Sequence, residues 1–167
     1  INDLALENGL VTMYGKCGSV EYAKTTFQKM KRRDLLSWNA VISACVQNEV
    51  SDDALKLVNK MVNEGIFPDK FLCSSVLSAC ASAGAQERGM HFFAVINSYE
   101  LDQAVGNATI NMYAKFGSVA DSYRVFQRMP RQDIVSWSAI IAAYAQHGCG
   151  KYAVDLYNRM LDEGVST

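Results

Sequence analysis

Long apolar runs, paired cysteines and an excess of positive charge are all missing from this sequence of 167 residues. No apolar stretch approaches the roughly 20 residues that a helix needs to cross a bilayer. The five cysteines form no C-x-x-C pair. This absence argues against a zinc site or a disulfide framework and predicts reduced thiols that serve as small core residues. Half of the residues are apolar and a fifth are charged, so we expect an ordinary globular chain with no membrane partner.

The charge balance and the missing motifs exclude several classes of function. Lys and Arg number 16 against 17 Asp and Glu, which gives a net charge of −1. Strong non-specific nucleic-acid binders are basic. Any nucleic-acid binding by this chain must therefore depend on how individual side chains are arranged, not on its overall charge. The sequence has no phosphate-cradling glycine loop, no H-E-x-x-H motif and no deaminase-type H-x-E with P-C-x-x-C. We therefore expect no enzyme, no catalytic residue, no metal, no cofactor and no small-molecule substrate.

The beginning of the chain indicates a piece of a longer protein. Residues 1–4 lack an initiating Met, and the basic, apolar and small-residue sections of a secretory signal are absent. We therefore expect that any targeting segment of the parent protein lies outside this sequence.

An internal repeat of 99 residues runs through the chain. Residues 13–48 match residues 112–147 at 17 of 36 aligned positions, which chance similarity does not reach. Smaller units divide this period, because residues 38–45 echo residues 73–80 at an offset of 35. A repeat of this length is typical of stacked helical units.

Apolar residues inside each unit follow the helical period. One segment places Ala54, Leu57, Val58 and Met61 at i, i+3, i+4 and i+7. Breaks rich in Gly, Ser and Asn separate the segments, and these residues end one helix and begin the next; they lie at 17–19, 48–51, 83–85, 116–118 and 147–150. Five helical hairpins whose apolar faces are too wide to bury alone predict an all-α fold, an α-solenoid of stacked helix-turn-helix repeats.

Three phrases resemble the plant-type pentatricopeptide repeat. Residues 112–118 read MYAKFGS, residues 133–141 read DIVSWSAII and residues 76–82 read VLSACAS. They are similar to the MYAKCGS, DVVSWNAMI and VLSACAS runs of that family. The tetratricopeptide pattern W-x₂-L-G-x₂-Y fails at both Trp38 and Trp137. The resemblance covers essentially the whole chain and implies that the solenoid is right-handed.

The 99-residue unit resembles the short–standard–long alternation of the PLS subclass of that family. One array over residues 1–167 is predicted, and the long repeat is shorter than usual near residues 98–100, where we expect an altered outer loop. The repeats are a short one at 4–34, a standard one at 35–69, a long one at 70–102, a short one at 103–133 and a standard one at 134–167 that breaks off.

The resemblance also implies which residues meet RNA. Repeats of this family are an established case of one base read by two or three side chains of one helical repeat. The readers are the fifth residue of the first helix and the last residue of the repeat, and we call these two residues a reader pair. Carried over here, the base-reading residues are Asn8 with Asp34, Asn39 with Asp69, Ser74 with Asp102, Asn107 with Asp133, and Ser138 without a partner in the sequence.

In this family an Asn/Asp pair favours uracil, and Ser/Asp favours guanine in standard repeats. The predicted ligand is single-stranded and U-rich, about 5′-U-U-N-U-purine-3′, read parallel to the chain. The second residue of a repeat flanks the base, and a basic residue late in the first helix contacts phosphate. These positions carry Leu36, Phe71 and Val135 as base-flanking residues, and Lys16 and Lys115 as phosphate contacts.

A structural role is open for several of these residues. Asp34, Asp69 and Asp133 each precede a helix, where a carboxylate caps the N-terminus and interacts well with the helix dipole. The sequence leaves both roles open. Trp38 and Trp137 are expected in the core between repeats rather than as stacking platforms for bases.

The predicted function is sequence-selective binding of single-stranded RNA, as the recognition module of an organellar RNA-processing or RNA-editing factor. A mitochondrial or chloroplast location, and RNA-processing protein partners, follow from the resemblance alone. The alternative is a protein-binding helical-repeat scaffold, or a subunit of a larger complex, which the near-neutral charge favours.

Overall fold

The computed structural model describes residues 3–96 and 102–165. These residues form ten helices and no strand, so the predicted all-α fold of helical hairpins is confirmed. The altered loop expected near residues 98–100 lies outside the described residues. Within the described ranges, no helix is both long and apolar enough to cross a membrane. The helices are α1 Leu4–Lys16, α2 Val20–Lys29, α3 Leu35–Gln47, α4 Ser51–Asn63, α5 Lys70–Ser82, α6 Gln86–Ile96, α7 Gln103–Lys115, α8 Val119–Arg128, α9 Ile134–Gln146 and α10 Gly150–Asp162.

Local capping chemistry explains where the first helix of a hairpin begins and ends. Asp34 caps α3, since its carboxylate accepts from the backbone N–H of Ser37 at 2.9 Å, and Asp133 caps α9 in the same way. After α1 and α7 the chain turns through a left-handed conformation at Gly18 (φ 76°) and Gly117 (φ 78°). Only glycine adopts that conformation without a steric cost.

The chain divides into two compact units, Ile1–Ala79 and Cys80–Thr167. In the first unit, the first helices of two hairpins, α1 and α3, pack side by side, and α2 also contacts α3. Trp38 and Phe27 form the centre of this core, with both rings buried and their centroids 4.7 Å apart in an edge-to-face arrangement. The expectation that Trp38 is a core residue is confirmed.

An ion pair joins the second helices of the first two hairpins. The Lys24 ammonium on α2 lies 2.6 Å from Asp53 on α4 and 2.6 Å from Glu21 on its own helix. The hydrogen bond to Asp53 raises the pKa of Lys24, and the same bond lowers the pKa of Asp53. The pair therefore links two hairpins within the first unit on the side formed by second helices.

The second unit repeats this packing. Here α9 packs against α7 and α8, and Trp137 meets Phe126 edge-to-face at 4.7 Å. Ser122 on α8 is fully buried and donates to the backbone oxygen of Ile110 on α7 at 3.1 Å. A polar side chain thus stabilises this hairpin from inside, because its hydroxyl is hydrogen-bonded.

The cysteines are all free thiols, but they are not all core residues. Cys45, Cys73 and Cys80 are buried as predicted, and burial raises the pKa of the Cys45 thiol to about 11. The prediction is wrong for Cys17, which is exposed because it caps the C-terminus of α1, and only partly right for Cys149, which is half-buried.

Two glycines of α1 should respond in opposite ways to alanine. A Cβ on Gly15 would lie 2.6 Å from the Cβ of Ala44 and 3.0 Å from its Cα, so α1 and α3 would have to move apart. A Cβ on Gly9 would meet nothing within 4 Å. We expect Gly9→Ala to raise the free energy of unfolding by about 0.5–1 kcal/mol, and Gly15→Ala to lower it by about 1–3 kcal/mol.

Urea unfolding followed by circular dichroism at the helical band would measure both glycine variants. Gly9→Ala is the matched control, because it makes the same chemical change in the same helix. Equal stability of the two variants would contradict the close approach of α1 to α3.

Candidate nucleic-acid interface

The predicted readers of the first two hairpins share one groove in the first unit. Asn8 is the fifth residue of α1 and Asn39 is the fifth residue of α3, and both line a groove of about 370 Å³ between these helices. The predicted base-flanking Leu36 and the predicted phosphate contact Lys16 line the same groove. Four residues chosen from the sequence are therefore brought together by the packing of α1 on α3.

Further groove residues follow the readers along each helix. Thr12 and Ser43 stand four residues after Asn8 and Asn39, one helical turn further along the same face. Gln47 lies another turn along α3, at the site where α1 has Lys16. The prediction of base-reading residues left Thr12 and Ser43 out, although a step of four from each reader would have found them.

Asp34 and Asp69 have two structural roles at once. The Asp69 carboxylate accepts from the backbone N–H of Leu72 at 2.8 Å, which caps α5, and from the Asn39 amide at 2.8 Å through its other oxygen. The Asp34 carboxylate caps α3 and also accepts from the Asn8 amide, at 3.5 Å. Each aspartate therefore caps the next helix and holds the predicted reader of its own repeat.

Hydrogen bonding lowers the pKa of the Asp34 carboxyl. The backbone N–H of Ser37 contributes most to lowering its pKa, and the side chains of Ser37 and Asn8 add to the effect, against burial, which raises it. An ionised carboxylate only accepts hydrogen bonds. The Asn amide beside it must then present its NH₂ to the aspartate and keep its oxygen for another partner.

The amide oxygens of three predicted readers have no partner inside the protein. The Oδ1 atoms of Asn8, Asn39 and Asn107 are shielded from solvent and accept no hydrogen bond within the described residues. A buried acceptor left without a donor costs about 1–3 kcal/mol. Because water does not reach these oxygens, a ligand donor could bind them only after the side chains that cover them move, and it would then recover that free energy.

The reader pair of the second unit is arranged differently. Asp133 caps α9 by accepting from the backbone N–H of Ser136 at 2.9 Å. In the described part of this unit, no hydrogen bond joins Asn107 to Asp133. Ser138, the fifth residue of α9, is exposed.

The third pair is divided between the units. Ser74 belongs to the first unit, is half-buried, and donates its hydroxyl to the backbone oxygen of Lys70 at 2.8 Å. Asp102 belongs to the second unit and accepts from the backbone N–H of Ala104 at 3.0 Å. The Ser74 hydroxyl thus bonds within its own helix.

The predicted base-flanking residues are large, apolar and open to solvent. Leu36 is 66% exposed, Phe71 is 72% exposed and Val135 is 54% exposed. Each stands second in its helix, one residue after the start of α3, α5 or α9. None of the three is used in the core, so their apolar surface is available to a ligand. Lys16 and Lys115 are also exposed, as the last residues of α1 and α7.

Arg33, in the loop after α2 and outside the groove, has a structural role. Its guanidinium donates to the backbone oxygens of Phe27 at 3.2 Å and Gln28 at 2.9 Å, and it lies over the Phe27 ring. In the second unit the Gln132 amide donates to the backbone oxygen of Phe126 at 2.9 Å. Both side chains satisfy carbonyls at the end of a helix.

The described residues contain no group of three or more His, Cys, Asp or Glu side chains that could hold a metal ion. The groove in the first unit is lined by amides, hydroxyls, a lysine and the exposed side chain of Leu36.

Comparison of the sequence with known families finds one family over most of the chain. The model of the PPR repeat family matches residues 33–82, and the PPR repeat model matches residues 8–35, 107–134 and 135–165. A putative mitochondrial pentatricopeptide repeat-containing protein of Arabidopsis thaliana is 39% identical over 166 residues, which cover 98% of this chain and 27% of the relative. A chloroplastic pentatricopeptide repeat-containing protein of the same plant is 35% identical over 98% of this chain and 20% of its own length. This chain thus spans about a quarter or less of these relatives.

Solved structures show the same fold. The crystal structure of the pentatricopeptide repeat protein PPR10 from maize matches 98% of this chain and 25% of its own, with a TM-score of 0.73 and 21% identity. The crystal structure of PPR10 in complex with an 18-nt psaJ RNA element matches 98% of this chain and 25% of its own, with a TM-score of 0.74 and 20% identity. The predicted fold class, an α-solenoid of stacked helical hairpins, is confirmed by this likeness.

Proposed function

Because this chain belongs to the pentatricopeptide-repeat family, we propose that it binds single-stranded RNA with one base to each repeat. Support comes from the solved complex of PPR10 with RNA, which shares this fold. The observation that carries the proposal is the groove in the first unit. There, two partnerless amide oxygens lie beside an exposed leucine and a lysine.

The chemistry of the groove favours uracil at the second base. The Asn39 NH₂ group is held by Asp69 at 2.8 Å, so the amide offers its oxygen as an acceptor. Uracil carries a donor, its N3–H, at the centre of its Watson–Crick edge, whereas cytosine carries an acceptor at the same position. A held asparagine therefore accepts from uracil and meets cytosine acceptor to acceptor.

The remaining assignments follow the same pattern and are proposals. The ligand is 5′-U-U-N-U-purine-3′, with Asn8, Asn39 and Asn107 at the three uracils. Ser138 reads the purine, and Leu36, Phe71 and Val135 flank bases. The repeats alternate as short, standard and long. Lys16 and Lys115 contact phosphates.

The biological setting is inferred from relatives. The names of similar proteins place them in mitochondria or chloroplasts. We propose that this chain is the recognition module of an organellar RNA-processing or RNA-editing factor, with any chemistry supplied by other parts of that factor or by protein partners.

Fluorescence anisotropy would test RNA binding. The protein would be titrated into a labelled RNA that carries the core U-U-A-U-A between flanking nucleotides. A second titration would use the same RNA with every U changed to G. We expect at least tenfold weaker binding of the changed RNA, since one wrong base typically costs about 1–3 kcal/mol. Because few lysines contact phosphate in this proposal, the affinity should fall only shallowly with salt.

Equal binding of both RNAs, or no binding of either at high micromolar protein, would overturn the proposal. The protein scaffold would then be favoured, and partner capture that survives nuclease treatment would support it.

A further inference from the structure

The three Asn/Asp reader pairs are alike in sequence but not in geometry. In the first unit, the Asn39 amide donates to Asp69 at 2.8 Å, whereas the Asn8 amide reaches Asp34 only at 3.5 Å. The longer distance is at the limit of a hydrogen bond. Asn39 is therefore held firmly and Asn8 loosely, although the pairs consist of the same two residue types.

The residue that follows the aspartate by three positions accounts for this difference. After Asp34 this residue is Ser37, whose hydroxyl donates to Asp34 Oδ1 at 2.8 Å, while its backbone N–H donates to the same oxygen at 2.9 Å. The Asn8 amide donates to this oxygen as well. Three donors thus compete for one carboxylate oxygen, and the most distant of them is the reader.

No such competition exists at the second pair. The residue three positions after Asp69 is Leu72, which has no hydroxyl. Its backbone N–H occupies Asp69 Oδ1 at 2.8 Å, and Asn39 donates to Oδ2. The two oxygens therefore divide the two tasks, one capping the helix and the other holding the reader.

The pair of the second unit follows neither arrangement. Ser136 stands three positions after Asp133, but its hydroxyl donates to the Asp133 backbone oxygen at 2.9 Å and does not compete for the carboxylate. Within the described part of that unit, Asn107 makes no hydrogen bond to Asp133. The comparison that bears on Ser37 is therefore the one between the two pairs of the first unit.

We propose that Ser37 is a specificity-determining positioning residue, which draws Asp34 away from Asn8 and so lowers the selectivity for uracil over cytosine at the first base. This inference rests on the proposed RNA-binding function. A loosely held amide can rotate and offer its NH₂ to the cytosine acceptor, whereas a held amide cannot. The first base is therefore read less selectively than the second.

The test compares uracil with cytosine at one position at a time. For the unmodified chain, anisotropy titrations would give the ratio of Kd for C to Kd for U at the first and second bases. We expect the ratio at the second base to exceed that at the first by about fivefold, the usual net effect of one hydrogen bond. This measurement needs no variant, so it does not depend on how a substitution folds.

Ser37→Ala removes the competing hydroxyl and keeps the backbone N–H that caps α3. It should raise the C-to-U ratio at the first base by about fivefold and leave the ratio at the second base within about twofold of its original value. A general loss of structure would lower both ratios together, so the second base is the internal control.

Each outcome decides the matter. Base-dependent binding with equal C-to-U ratios at the two bases, or an unchanged first-base ratio in Ser37→Ala, overturns the role of Ser37 and leaves RNA reading intact. Binding that ignores every base, or no binding, overturns both the proposed function and this inference.

Discussion

Asn39→Ser is expected to move the preference at the second RNA base from uracil to guanine. The substitution removes the amide oxygen that accepts from uracil, and it also removes the NH₂ group that occupies Asp69 at 2.8 Å. The freed carboxylate oxygen can then accept from the N1–H and NH₂ donors of guanine. A well-placed contact to a base edge discriminates by about 1–3 kcal/mol, so the U-to-G preference should change by at least about tenfold.

The measurement is a set of anisotropy titrations with U or G at the second base and all other bases unchanged. Asn59→Ser is the matched control, because Asn59 is exposed on α4, outside the groove, and it should bind both RNAs as the unmodified chain does. If Asn39→Ser kept its preference for uracil at the second base, Asn39 would not be the reader of that base.

Trp38→Ala and Leu36→Ala should separate folding from RNA binding on one helix. Trp38 is fully buried and meets Phe27 edge-to-face. Truncating a buried Trp costs about 3–5 kcal/mol, a large part of the roughly 5–15 kcal/mol that stabilises a typical domain. We expect Trp38→Ala to unfold the first unit at least partly at room temperature.

Leu36, two residues before Trp38, should behave in the opposite way. It is 66% exposed, so Leu36→Ala should change the free energy of unfolding by less than about 0.5 kcal/mol. If Leu36 flanks a base, the same variant should weaken RNA binding by about fivefold, the lower end of what stacking between an aromatic side chain and a base contributes.

Urea unfolding and RNA titration of both variants would check this pair of expectations. If Trp38→Ala had the same free energy of unfolding as the unmodified chain, the Trp38–Phe27 contact would not be what stabilises the first unit. Unchanged RNA binding by Leu36→Ala would remove Leu36 from the interface, whatever the outcome for Asn39.

The fold could be read from the sequence because its determinants are local and repeated. The stripe that includes Ala54, Val58 and Met61 predicts a buried helical face, and all three residues are buried. Gly18 and Gly117 mark helix ends because of their backbone conformation alone. Leu57, which the same pattern places on this face, is only half-buried. It lies at the edge of the face, and periodicity does not define how wide the buried part of a helix is.

The candidate readers were chosen by the resemblance of the sequence to the pentatricopeptide repeat, which assigns that role to the fifth residue of each first helix. The structure places the fifth residue of α1 and the fifth residue of α3 in the same groove between these helices. Thr12 and Ser43 line that groove as well, and a helical step of four would have added them. Their roles in RNA binding stay predictions.

By itself, the sequence determined the helical hairpins and the period of 99 residues, because both depend on spacing along one chain. The candidate reader positions follow only from its resemblance to the pentatricopeptide repeat, and they stay predictions. Only the tertiary structure decided that Asp69 holds Asn39 at 2.8 Å while Asp34 leaves Asn8 at 3.5 Å. That difference arises between helices, where carboxylate oxygens, a serine hydroxyl and an amide compete in three dimensions. Identical residue pairs therefore acquire different geometry from a neighbour, Ser37 or Leu72, that belongs to the next repeat.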